Sequence, residues 1–176
     1  MTTTGAVADA LRASLGQGRM PFLEITSDSM TPLLRRGDQV GLAATAPEQL
    51  QRGDIVTFLE NEHLTTHRYW GQMAGRLLSR ADRSGAFDRP WLPQALVGRV
   101  VVRRRAGAGL WLDAGAGRQL NRLLFRWCVA GQRLSTLGLP RRLVRAAWLA
   151  FAVPAAAVGA ALAGWERPSD RPEEQL

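Results

Sequence analysis

Arg36-Gly37-Asp38-Gln39-Val40-Gly41-Leu42 and Arg52-Gly53-Asp54-Ile55-Val56-Thr57-Phe58 share one pattern, a Gly-Asp pair followed by a brief apolar run. Glycine reaches positive φ without strain and aspartate hydrogen-bonds its own backbone, so each pair suits a tight turn that feeds a strand. Similar short runs, punctuated by Gly, Pro, Asp and Asn, extend on both sides. Strands are expected over residues 22–25, 39–42, 55–59, 64–69, 76–79 and 96–103. The fold class is therefore mainly β. An adhesion role for the repeated Arg-Gly-Asp tripeptide is disfavoured, because no early basic region with an apolar core marks a secretory signal.

Outside this stretch the period changes to that of helices. Val7, Leu11 and Leu15 predict a short N-terminal helix over residues 1–19, stopped by Gly16 and Gly18. The β-rich unit covers 20–110. Over 111–145, Leu120, Leu123, Leu124, Trp127 and Cys128 recur at three- and four-residue spacing, with Arg118, Arg122, Arg126 and Arg133 between them. That is a basic amphipathic helix, which could pack on the β unit or lie on a membrane surface. Residues 146–165 carry no charge and have Trp148 and Trp165 near their ends, the length and the flanks of a membrane span, although Ala and Gly dominate and Pro154 interrupts. The tail, 166–176, is rich in Pro and Glu and is expected to be disordered.

The net charge is +8, and all 23 positive side chains are arginines. Basicity of this kind fits an anionic surface, but the arginines are spread along the chain and no nucleic-acid motif accompanies them, so nucleic acid is not expected as a partner. The single Cys128 excludes an internal disulfide and gives no start to a metal site.

The most specific string is Ser27-Asp28-Ser29-Met30-Thr31-Pro32-Leu33-Leu34, followed by Arg36-Gly37-Asp38. It resembles the Ser-Met-x-Pro-x-Leu-x-x-Gly-Asp signature of the signal peptidase and LexA-type serine protease clan. Arg52 to Phe58, His67-Arg68-Tyr69, Leu78-Ser79-Arg80-Ala81-Asp82 and Val97-Gly98-Arg99-Val100 follow in the order of the family's other blocks. The resemblance covers roughly residues 20–104. It implies a β-sheet protease core, a peptide or precursor-protein substrate, an acyl-enzyme and no metal or organic cofactor. It also implies Ser29 as nucleophile, with the Ser29 N–H and the Ser27 hydroxyl as oxyanion donors, and Met30 and Pro32 along the substrate groove.

A serine hydroxyl needs a neighbour that takes its proton. The family's usual lysine is unavailable here, since the chain contains none, and arginine stays protonated. Thr66-His67-Arg68-Tyr69 resembles the histidine block of archaeal and endoplasmic-reticulum signal peptidases, which makes His67 the expected base and His63 its competitor. By the same resemblance Asp88, six residues beyond Asp82, completes a triad, with Asp82 as the alternative. Arg80-Ala81 in place of Lys-Gly, and Asp28 in place of a frequent glycine, depart from the pattern. A catalytically inactive module that holds a membrane or a partner is the rival reading. Membrane association is expected through 118–165, and Arg141, Arg142 and Arg145 before the apolar run favour a cytoplasmic protease domain over the extracytoplasmic one usual in the family.

Overall fold

A computed structural model describes residues 3–136, together with Ala146 and Ala150. Helix α1 (Thr3–Gly16) precedes six strands: β1 (Phe22–Glu24), β2 (Gln39–Ala43), β3 (Ile55–Glu60), β4 (His63–Met73), β5 (Arg76–Arg80) and β6 (Leu96–Arg105). A seventh strand, β7 (Ala108–Trp111), and helix α2 (Gly115–Thr136) complete it. The strands form one antiparallel sheet in the order β1-β2-β6-β3-β4-β5, with β7 paired to the second half of β6. The chain is thus mainly antiparallel β with two helices.

The two Gly-Asp turns are built alike. Gly37 and Gly53 take φ of 85° and 99°. The Asp38 N–H donates to the Arg35 carbonyl at 3.0 Å and its carboxylate accepts the Arg35 N–H at 2.8 Å. Asp54 makes the same pair of bonds with Gln51, at 2.9 Å each. Both carboxylates are committed to their own turns, which leaves neither tripeptide as a presented adhesion loop.

Two apolar clusters sit on the two sides of the sheet, as the alternation of strand side chains requires. Ile55 joins Leu33, Leu34, Val40, Leu42, Val97 and Val100, whereas its neighbour Val56 joins Phe58, Tyr69, Leu77, Trp91 and Leu96. Helix α1 seals the first cluster through Ala8, Leu11 and Leu15; Val7, expected on this seam, is exposed and Ala8 takes its place. Helix α2 closes the same cluster with Leu120 and Leu124, and Cys128 is buried one turn further on. The basic amphipathic helix therefore packs its apolar seam on the sheet, and Leu123 is left exposed.

Three differences from the sequence expectation have local causes. Strand β7 was not expected because Ala108-Gly109 offers no apolar run; it forms because Ala106 and Gly107 both take positive φ, the geometry of a two-residue hairpin. Strand β4 runs on to Met73 through a register shift at Tyr69/Gly71, where Gly71 has φ of 138°. The boundary at 110/111 falls inside continuous structure, with Leu110 and Leu112 both in the core. Among the described residues no helix is long and apolar enough to cross a membrane. The candidate span over 146–165 lies outside the described residues except for Ala146 and Ala150, as do all of 137–145 and the whole tail 166–176.

Candidate active site

The loop between β1 and β2 carries Ser29, and two arginines from β6 fix its far end. Arg103 donates to the Leu33 carbonyl at 3.1 Å, and Arg105 donates to the same oxygen and to both carboxylate oxygens of Asp38, at 2.6 Å each. Burial pushes the Arg103 guanidinium down to about 10, so it remains charged at neutral pH. On the near side, the Ser29 carbonyl accepts the Arg83 N–H at 3.0 Å, which ties the loop to the chain leaving β5. Asp28 points away from the Ser29 hydroxyl, with its carboxylate on the Arg36 N–H at 3.1 Å.

His67 stands in the middle of β4, opposite Val56, and its ring reaches the Ser29 loop. Ser29 Oγ lies 3.3 Å from His67 Nε2, and Ser27 Oγ lies 3.1 Å from Ser29 Oγ. On the far side of the ring, His67 Nδ1 is 2.8 Å from Asp88 Oδ2. Asp88 is brought back by the chain after β5: its N–H donates to the Ser79 carbonyl at 3.0 Å, and Leu77 and Trp91 exchange two backbone bonds. The serine, the imidazole and the carboxylate therefore form one line, each contributed by a different part of the sheet. His63 sits exposed at the end of the β3–β4 hairpin, remote from this line.

Behind Asp88 is a buried relay with no expected role in the sequence. The Trp91 indole N–H donates to Ser79 Oγ at 3.0 Å, and Ser79 Oγ donates to Asp88 Oδ2 at 2.6 Å. Trp91 is itself held flat against Phe58, with ring centroids 4.3 Å apart. Burial pushes the Asp88 carboxyl up, but the hydrogen bonds from His67 and Ser79 and the charges of His67 and Arg80 outweigh it, and the group is held below its ordinary value. A carboxylate kept ionised beside Nδ1 favours the tautomer in which Nε2 can accept a proton.

Asp82, the alternative orienter, does not reach His67. It clamps Arg68, the next residue of β4, whose side chain projects to the opposite face. Arg68 Nε and Nη2 donate to the two Asp82 oxygens at 2.7 and 2.6 Å, and Nη1 donates to the Gly53 carbonyl at 2.8 Å and to Asn121 Oδ1 on α2. The pair is fully buried. Burial pushes the Arg68 guanidinium down, but the charge and hydrogen bonds of Asp82, with the more distant charge of Asp54, help to outweigh it, and the group is held above its ordinary value. Its place in the fold is structural, joining β4, the second Gly-Asp turn and α2.

Met30 and Pro32 also differ from expectation. Both are buried, and Met30 belongs to the apolar core, where its sulfur takes the Asp82 N–H at 3.4 Å. Neither side chain is placed to line an open groove; a thioether and a proline ring next to Leu33 and Leu34 are more stable packed than wet.

The chain matches no protein-family model. No curated protein matches it either. A hydroxyl within reach of an imidazole whose other nitrogen faces a carboxylate is equipped for nucleophilic attack with general-base assistance.

Proposed function

We propose that this protein is a serine endopeptidase of the signal peptidase type, in which Ser29, His67 and Asp88 act as a triad on a peptide or precursor protein. The observation that carries the reading is the continuous line Ser29 Oγ, His67 Nε2, His67 Nδ1, Asp88 Oδ2, with separations of 3.3 Å and 2.8 Å at its two junctions. The first distance is long for a hydrogen bond, as is common before substrate closes the site. The match of the Ser29 string to the family signature and the mainly antiparallel sheet support the same reading.

In this mechanism Ser29 Oγ attacks the scissile carbonyl carbon as its proton passes to His67 Nε2. Asp88 stabilises the imidazolium, and the negative oxygen is met by the Ser29 N–H and by the Ser27 hydroxyl, 3.1 Å from the nucleophile. His67 then gives the proton to the leaving amine, leaving an ester on Ser29. A water molecule, deprotonated by His67, attacks the ester; the acid product leaves and Ser29 recovers its proton. A small residue before the cut bond in an extended chain is the substrate preference the family resemblance implies. The same resemblance puts the enzyme at a membrane, with the arginines at 141, 142 and 145 favouring a cytoplasmic domain.

Peptidomics of cells in which Ser29→Ala replaces the wild-type chain tests the proposal. Accumulation of one or a few uncut precursors, reversed by the wild-type chain, is the expected outcome. An unchanged peptide profile would favour the inactive binding module.

A further inference from the structure

The second Arg-Gly-Asp turn meets helix α2 away from the triad. A Cβ at position 53 would lie 2.9 Å from the Phe125 ring, so only glycine allows this approach, and the approach brings Arg52 beside the helix. Arg52, Phe125, Arg126, Val129, Ala130 and Arg133 enclose a cleft of about 420 Å³. Its floor is apolar and three guanidinium groups border it, while no acidic side chain lines it. Helix α2 contains no Asp or Glu at all. At 100° per residue, Arg118, Arg122, Arg126 and Arg133 fall within an arc of ~80°, opposite the buried seam of Leu120, Leu124 and Cys128. All four arginines are exposed, and Leu123 stands exposed beside them.

We propose that this cleft seats the phosphate of an anionic phospholipid, with the arginine stripe of α2 lying along the bilayer surface. Guanidinium groups match phosphate oxygens in pairs, and their weak hydration suits them to a membrane interface. Phe125, Val129 and Ala130 offer the glycerol and upper acyl carbons an apolar contact that a nucleic-acid backbone would not use. The uncharged run over 146–165 follows α2 in the sequence. Helix α2 covers Arg68, on the face of β4 opposite His67, so docking through α2 leaves Ser29 clear of lipid. The inference is independent of the protease reading, and its test contains no activity measurement.

The test is flotation of the full-length chain with vesicles of phosphatidylcholine alone or with added phosphatidylglycerol, because insertion of the apolar run would be common to both. The wild-type chain should bind the anionic vesicles more tightly, and added salt should weaken that excess. Arg52→Gln/Arg126→Gln should reduce the excess about 30-fold, equivalent to about 1 kcal/mol for each arginine near an anionic surface. Arg19→Gln/Arg36→Gln, two exposed arginines elsewhere, should leave it nearly intact. If the first pair disturbs folding by circular dichroism, Arg52→Gln alone should still cost about 5-fold. Equal losses from both pairs, or no preference for phosphatidylglycerol, would overturn the proposal. So would competition by an oligonucleotide stronger than by phosphatidylglycerol vesicles.

Discussion

Exchanging either aspartate near His67 for asparagine should separate stability from catalysis. Asp82 and Arg68 are 1% and 0% exposed, and Asp82 gives both oxygens to the guanidinium. Asp82→Asn keeps the shape and one acceptor oxygen but sets an NH2 group against the guanidinium, and it leaves the buried cation without a carboxylate beside the Gly53 carbonyl and the Asn121 amide oxygen. Removing one partner of a buried pair costs about 3–5 kcal/mol. For a domain of this size that lowers Tm by on the order of 10–20 °C. Asp88→Asn should do the reverse. The fold should be largely kept, while the tautomer that leaves Nε2 free is no longer favoured, and turnover should fall about 10³–10⁴-fold. Thermal melts by circular dichroism, paired with peptide cleavage measured below both transitions, read the two effects separately. An Asp82→Asn protein that melts like wild type yet is inactive, beside an active Asp88→Asn protein, would refute the assignment.

Ser29→Ala and His67→Ala should each abolish nearly all cleavage with little change in Tm, and the double variant should be no worse than either, since the two groups act as a unit; His63→Ala should cleave normally. Ser79→Ala removes a hydrogen bond to a charged group and strands the Trp91 N–H, so it should cost about 1.5–3 kcal/mol of stability and lower turnover less than Asp88→Asn does, as read by urea unfolding and initial rates. Asp88 titrates below its ordinary value of 3.8 in the folded chain, so its network stabilises the fold above that value and the stabilisation is lost as pH falls through the lowered pKa. The difference in unfolding free energy between wild type and Asp88→Asn should accordingly shrink as the solution is acidified below about pH 4; a difference constant with pH would contradict the network.

Strands β2 and β3 were legible because each follows a Gly-Asp turn, and Ile55-Val56-Thr57-Phe58, β-branched or aromatic throughout, forms β3 as expected. Strand β7 was not, since Ala and Gly carry little apolar signal. Ser29, His67 and Asp88 could be chosen from a family resemblance and the absence of lysine, but their meeting depends on β4 and the chain after β5, which no local pattern encodes. The resemblance preferred Asp88 to Asp82, but no local pattern tells which carboxylate meets the imidazole. Only the alternation of His67 and Arg68 across β4 sends one carboxylate to the imidazole and the other to the guanidinium. Met30, expected along a groove, lies in the core; a methionine next to Ser29 carries no mark in the sequence of which way it points. The Ser79–Trp91 relay had one faint signal, a serine in a strand otherwise made of Leu and Arg. The arginine cleft needed the close approach at Gly53, visible only in three dimensions.

The proposed activation of Ser29 by His67 requires a reactive hydroxyl in the folded chain. Treating the folded, purified chain with a fluorophosphonate and locating the adduct by peptide mass spectrometry tests it directly. One adduct is expected, on Ser29, at a rate that collapses in His67→Ala while circular dichroism stays unchanged. No adduct on the folded wild-type chain, or equal labelling of Ser29 with and without His67, would contradict it.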